Sequence, residues 1–282
     1  MTGLTAAPPW LPTRELVAGK YLELRKRRGL MVAVAVLTLA PPVLILGIRL
    51  LAHLIDPSTY GPAGSLSLFS PITGLIAEFG FIVAAAVGAS AGSTDLTDGF
   101  FRQLVVTGRS RLALYLARIP AGLAIVLPPV AVGFAVLCLV TSYASGPQPA
   151  SLAASEMAKV GLWLELEVGI GFLVGLGLGS LMGQRTIPTI LLIVLEIIVT
   201  PALAGHPIPY FLDGQRLVVG IAMDQLRPAA LGHGQVGAGP LSAANGVLQL
   251  PGMPTWAMIT VIAGWIAGWS VIGAWRMMTR DA

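Results

Sequence analysis

The 282-residue chain is 55% hydrophobic and 11% charged, whereas an ordinary soluble domain is about 25% charged. This composition predicts a membrane protein. The balance of 17 Lys and Arg residues against 13 Asp and Glu residues gives a net charge of +4. Because the basic residues lie beside apolar runs and do not form one stripe, we expect no nucleic-acid partner. The single cysteine, Cys138, excludes an internal disulfide, and no Cys/His spacing typical of a metal site accompanies it.

Residues 14–28 form the first segment with a clear pattern, because Val17, Tyr21 and Leu24 recur at helical spacing among charged residues. This pattern predicts an amphipathic helix that lies on the lipid at the inner face of the membrane. The basic run Arg25 to Arg28 resembles the start of a signal peptide, but the apolar stretch that follows lacks a small-x-small cleavage site. We interpret that stretch as a membrane span retained in the mature chain.

Six apolar stretches meet the length of roughly 20 residues that a helix needs to cross a membrane. They predict an all-α membrane protein with a single transmembrane domain over residues 1–282. We expect Pro120, Pro128 and Pro129 to kink the third span. The predicted spans are about 30–51, 72–92, 113–141, 158–182, 187–204 and 256–275.

The distribution of basic residues predicts the orientation. Most of the lysines and arginines fall on one side of the six spans if both termini are cytoplasmic, as the positive-inside rule requires. Residues 205–255, which are rich in Gly and Pro, then form an extracytoplasmic connection between spans five and six, with a re-entrant or cap-like structure as the open possibility. Trp256 and Trp275 bracket the last span as interfacial anchors.

The fourth span carries glycines at intervals of four, which places them on one helical face and predicts close packing of another helix, with a sliding or gating surface as the alternative. They are Gly171, Gly175, Gly179 and Gly183. A nucleotide-binding P-loop is excluded, because none of the three lysines, Lys20, Lys26 and Lys159, stands in the required pattern. Ser90 lies in a G-x-S-x-G match, but all the histidines are predicted on the other side of the membrane, so we interpret its neighbourhood as a helix crossing.

Four carboxylates fall inside the predicted spans: Glu78, Glu165, Glu167 and Glu196. A charge at membrane depth is costly unless it faces a cavity, a partner or water. The set therefore indicates either a substrate or ion pathway or buried hydrogen bonding and interfacial solvation. Glu165 and Glu167 are about 200° apart around a helix and cannot share one face, so these two alone form neither a metal site nor an acid/base pair.

The polar stretch between spans two and three, residues 92–111, is predicted to be a cytoplasmic connection. Thr94 or Thr97 is a candidate cap for a short helix with Asp98 in its first turn, followed by an apolar ridge that includes Phe100 and Phe101. Exposed aromatic residues beside arginine on the inner face indicate a docking surface.

The residues of this connection, DGFFRQLVVTGRSR from Asp98 to Arg111, resemble the loose motif that follows the second span in permease subunits of ABC-2 type exporters. That motif has an acidic or small residue, Gly-Thr, a basic residue, two aliphatics, Thr-Pro and Ser-Arg. This chain departs from it at Phe100, where the family often has Thr, and at Gly108, where it often has Pro. With the basic N-terminal helix, the six spans and the long fifth connection, the resemblance covers nearly the whole chain.

The resemblance implies a permease in a bacterial cell membrane that is not itself an enzyme and carries no cofactor. ATP and Mg would bind to a separate ATPase subunit, present in two copies, and a second permease copy or a related permease would complete a dimer. The implied coupling helix comprises Asp98, Gly99, Phe100, Phe101, Arg102, Gln103 and Leu104. A stand-alone secondary transporter or channel that uses the intramembrane glutamates is the alternative. The sequence does not distinguish a drug, peptide, lipid or glycan substrate.

Overall fold

The computed structural model describes residues 11–97, 110–144, 152–205, 208, 210–232 and 252–279. These residues form helices and connecting loops, and no strand occurs among them. Six helices are long and apolar enough to cross a membrane, which confirms the prediction of an all-helical, multi-pass membrane protein.

The helices are numbered here in chain order over the described residues. Helix α6 is continuous but contains a π turn at Leu195–Val199, flanked by α-helix at Thr186–Val194 and Thr200–Gly205. The others are α1 (Arg14–Lys26), α2 (Arg28–Ile55), α3 (Leu66–Thr97), α4 (Arg111–Tyr143), α5 (Ala154–Met182), α7 (Leu212–Arg216), α8 (Val219–Gln225) and α9 (Thr255–Thr279), with a 3₁₀ turn at Ala229–Leu231 between α8 and α9.

Helices α3 and α5 form the centre of the bundle. About 67% of the membrane-spanning window of each is buried, against 22% for α2, α6 and α9. The two helices also make the most extensive helix pair of the described fold. The remaining spans pack around this pair.

Glycines allow the backbones of α3 and α5 to meet. A Cβ at Gly171 would lie 2.9 Å from the carbonyl oxygen of Phe81, and a Cβ at Gly175 or Gly179 would overlap the carbonyl oxygen of Ala85 or Ala89. Small residues at such intervals let membrane helices approach closely, where packing replaces the hydrophobic effect as the source of stability.

Gly183 has a different position from the other three glycines of its stripe. It is the C-cap of α5, with φ of 69° in the left-handed region, and its N–H donates to the carbonyl of Gly179. Left-handed backbone at this position favours glycine because it lacks a Cβ. Gly183 therefore ends α5, a role that the glycine spacing did not predict.

The π turn of α6 explains how a short span accommodates both a proline and a carboxylate. Pro201 has no N–H to donate to the carbonyl four residues earlier, and the wide turn that carries Glu196 lies directly before it. Single π turns within α-helices occur frequently at functional sites.

The structure also extends the predicted second span. The prediction began at residue 72, but α3 begins at Leu66 and includes Ser70 and Pro71. The polar hydroxyl of Ser70 is satisfied within the bundle, because it donates to the carbonyl of Leu231 at 2.8 Å. Hydropathy alone places the start of the span after this polar serine, because it contains no information on the distant hydrogen-bond partner.

The alanine variant Gly175→Ala tests the backbone contact between α3 and α5. We expect it to lower the free energy of unfolding by about 1–3 kcal/mol, because the added methyl group meets the backbone of Ala85, which cannot rotate away. Thermal unfolding in detergent measures the loss. Gly169→Ala is the matched control on the same helix, since a Cβ there would meet no described atom within 4 Å. Equal destabilisation by the two variants would contradict the close packing.

Candidate membrane-embedded acidic site

Three of the four predicted glutamates converge on one region of the bundle. Glu78 lies on α3, Glu167 on α5 and Glu196 in the π turn of α6, each near the midpoint of its span. Glu167 is only 8% exposed and lies within electrostatic range of Glu196, Asp224, Arg227 and Glu78. The packing of these helices therefore brings carboxylates from three spans together at the middle of the predicted membrane.

Glu167 and Glu196 line one narrow crevice. Apolar residues and a glycine of α3, α5 and α8 complete its walls: Phe81, Ile170, Val219, Gly220 and Met223. The Oε2 atoms of both glutamates are buried and have no hydrogen-bond partner among the described residues. No described residue therefore donates a hydrogen bond to either of these two carboxylate oxygens.

Gly220 allows α8 to close this crevice. A Cβ at position 220 would lie 2.6 Å from Cγ2 of Thr200 and 3.1 Å from Oε2 of Glu196. A larger residue would push α8 away from α6. Glycine is required here by close approach rather than by backbone conformation.

Arg227 supplies a cation to the site. Its Nη1 lies 3.7 Å from Oδ1 of Asp224, its Nη2 donates to the hydroxyl of Ser70 at 3.3 Å, and its guanidinium lies 5.7 Å from the ring centroid of Trp163. The indole N–H of Trp163 donates to the carbonyl of Met223 at 2.9 Å. These contacts fasten the segment after α8 to α3 and α5.

Asp224 lies outside the six spans, in the segment that the sequence assigned to the extracytoplasmic connection. Burial raises the pKa of Asp224, and the neighbouring Arg227 opposes that rise. Sequence reasoning missed both residues as parts of the site. The available signal was the Asp-x-x-Arg spacing after the apolar run Val218 to Met223, which is typical of a buried helix.

Glu165 and Glu78 differ from the buried pair. Glu165 lies about 200° around α5 from Glu167; both of its carboxylate oxygens are buried without a hydrogen-bond partner in the described part of the chain. Glu78 is exposed on the surface of the single chain. Because a carboxylate at membrane depth avoids lipid, the surface around Glu78 calls for water or another protein chain.

The cluster does not have the arrangement of a metal centre. Within the described ranges, no group of three or more His, Cys, Asp or Glu side chains is placed to hold a metal ion. Carboxyl groups at membrane depth can bind protons or cationic groups.

The predicted coupling residues, Asp98, Gly99, Phe100, Phe101, Arg102, Gln103 and Leu104, lie outside the described residues. The helices on either side of them are described. Ser110 caps α4 by accepting a hydrogen bond from the N–H of Ala113 at 3.1 Å. Arg118 of α4 is buried and donates from Nη1 to the carbonyl of Gly92 at 3.2 Å. The end of α3 and the start of α4 are thus tied together beside the connection.

No protein-family model matches the chain, and a search of curated proteins yields no match. The resemblance to ABC-2 permeases therefore stays a prediction.

Replacement of Arg227 tests whether the cation stabilises the site. We expect Arg227→Gln to lower the free energy of unfolding by about 1–3 kcal/mol, because it leaves partly buried Asp224 without its ion-pair partner. Lys159→Gln is the control, since Lys159 pairs with Glu156 at the surface, where such pairs contribute about 0–1 kcal/mol. Chemical unfolding in mixed micelles measures both. A loss for Arg227→Gln no larger than for the control would show that the ion pair contributes nothing.

Proposed function

We propose that this chain is the transmembrane permease subunit of an ATP-binding-cassette exporter, located in a bacterial cell membrane and driven by a separate ATPase. One observation carries the proposal: the acidic site at mid-membrane is built on the closely packed helices α3 and α5, and α3 leads directly into the polar connection at residues 98–109. A polar site inside a bundle of six apolar helices is typical of a substrate pathway.

The close pairing of α3 with α5 favours coupling between the connection and the site. Displacement of residues 98–109 would act on the end of α3, and the backbone contacts at Gly171, Gly175 and Gly179 would carry α5 with it. Helix α6 and the α8 segment lie across the crevice from this pair. A rigid-body shift of α3 and α5 would therefore change the crevice, as in other transporters that move packed elements against each other.

The exposure of Glu78 supports a dimer. This side chain lies near the midpoint of α3 and is exposed in the single chain, although a charge at that depth does not face lipid. A second permease copy, or a related permease, would cover this surface and leave Glu78 at the pathway between the two subunits. The α1 helix, which packs against α4, would form an additional contact with the ATPase at the inner face.

A stand-alone transporter is the second candidate function. The observation that favours it is the charge of the site: the carboxylates of Glu78, Glu196 and Asp224 act on Glu167, whereas among the described residues one arginine, Arg227, does so. Such a cluster is typical of proteins that carry protons or cations along an intramembrane relay. This candidate requires no ATPase.

Co-purification tests the exporter proposal. We expect the affinity-tagged chain to retain an ATP-binding-cassette ATPase from its own cells, and the double variant Phe101→Ala with Arg102→Gln to retain at least tenfold less, because the apolar and charged contacts of the coupling helix are removed. Quantitative mass spectrometry of the eluate measures the ratio of ATPase to permease.

The matched control is the double variant Arg49→Gln with Tyr60→Ala, which removes an arginine and an exposed aromatic residue from the opposite end of the bundle. It should retain the ATPase at the wild-type level. Equal recovery from both double variants would remove the coupling-helix proposal. Transport of a cation by the purified chain alone in liposomes would favour the second candidate.

A further inference from the structure

The crevice between α5, α6 and α8 holds two carboxylate oxygens that lack a hydrogen-bond partner among the described residues. The Oε2 atoms of Glu167 and Glu196 are buried without a hydrogen-bond donor from the described residues, and Glu167 is more than nine-tenths buried. An ionised carboxylate in an apolar environment without a partner costs several kcal/mol. A positively charged ligand would compensate these oxygens.

The geometry excludes most ligands for this crevice. Its described walls leave no room for a water molecule, and the described acidic residues do not form a metal-binding group. Arg227 acts on Glu167 from a distance, while its own contacts go to Asp224, Ser70 and Trp163. A proton is the one positively charged ligand that needs no additional space.

We propose that Glu167 and Glu196 form a proton-binding carboxyl pair at the middle of the membrane, closed over by α8. The proton binds to one carboxylate oxygen and forms an O–H bond, which can donate to an oxygen of the other glutamate. When the proton leaves for bulk water, both carboxylates are negative and repel each other across the crevice. Proton binding therefore holds α5, α6 and α8 together, and proton release separates them.

The other charged groups around the pair favour proton binding. Glu78 on α3 and Asp224 on α8 both lie within electrostatic range of the pair and are acidic, whereas Arg227 is the one cation that acts on Glu167 from the described residues. Glu165 lies on the opposite face of α5. Because these surroundings are net negative, ionising both Glu167 and Glu196 costs more free energy than ionising one of them, and this stabilises the pair with one proton bound.

Gly220 makes the closure of the site sensitive to this proton. Because Gly220 has no side chain, α8 comes close to Thr200 and to Oε2 of Glu196. Met223 of the same helix lines the crevice. Separation of α8 after proton release would open the crevice to water or substrate. This response to the proton depends on the contacts of the crevice and not on whether an ATPase drives transport.

Infrared spectroscopy tests the proposal on the purified full-length chain in detergent. At pH 7 the wild type should show a protonated-carboxyl C=O band that shifts on exchange into D₂O, and this band should lose the intensity of one carboxyl group in the double variant Glu167→Gln with Glu196→Gln. Glu156→Gln, which changes a surface carboxylate paired with Lys159, should leave the band unchanged. An identical band in the wild type and the double variant would overturn the proposal.

The pH dependence of unfolding supplies the second measurement. Because the folded chain holds a proton that the unfolded chain releases, the unfolding equilibrium constant of the wild type should rise about tenfold per pH unit above the ordinary range of glutamate titration. The slope of the double variant should be smaller by this one proton, because Glu165 and Asp224 stay in place. If it does not fold, Glu196→Gln alone serves, because its amide N–H replaces the shared proton. The same slope in the variant and the wild type would contradict a proton-binding pair.

Discussion

The close approach of the α3 and α5 backbones is the constraint on which the rest of the structure depends. Three glycines of α5 place its backbone against the carbonyls of Phe81, Ala85 and Ala89, so the two helices act as one unit at the centre of the bundle. Membrane helices gain little from the hydrophobic effect against each other, and close packing supplies the stability instead. The other four spans are positioned by their contacts with this pair.

That pairing also positions the acidic site. Once α3 and α5 are fixed, Glu78 and Glu167 come to the same depth, and the π turn of α6 brings Glu196 to them. The segment after α6 completes the site, because Arg227 anchors it to Ser70 of α3 and to Trp163 of α5. The site therefore gathers charged residues of three spans and of the segment after α6 into one region, where their charges act on one another.

Much of this fold is predictable from the sequence, and the reason is that its signals are periodic. Apolar runs of span length identify the six helices, and glycines at intervals of four identify the packing face of α5. The role of Gly183 as a helix C-cap was not predicted, because the same spacing continues past the last turn. The contribution of Asp224 and Arg227 was not predicted either, since the place of Arg227 depends on distant partners, Ser70 and Trp163, that the local sequence does not reveal.

The central claim is that carboxylates from different spans share one site at the middle of the membrane. A double-mutant cycle on the free energy of unfolding, with Glu167→Gln and Glu196→Gln made singly and together, tests it most directly. We predict a coupling energy of about 0.5–3 kcal/mol, as for groups in contact or in one network, and additivity within about 0.5 kcal/mol when Glu165→Gln replaces Glu167→Gln. Additive effects of Glu167→Gln and Glu196→Gln would contradict a shared site.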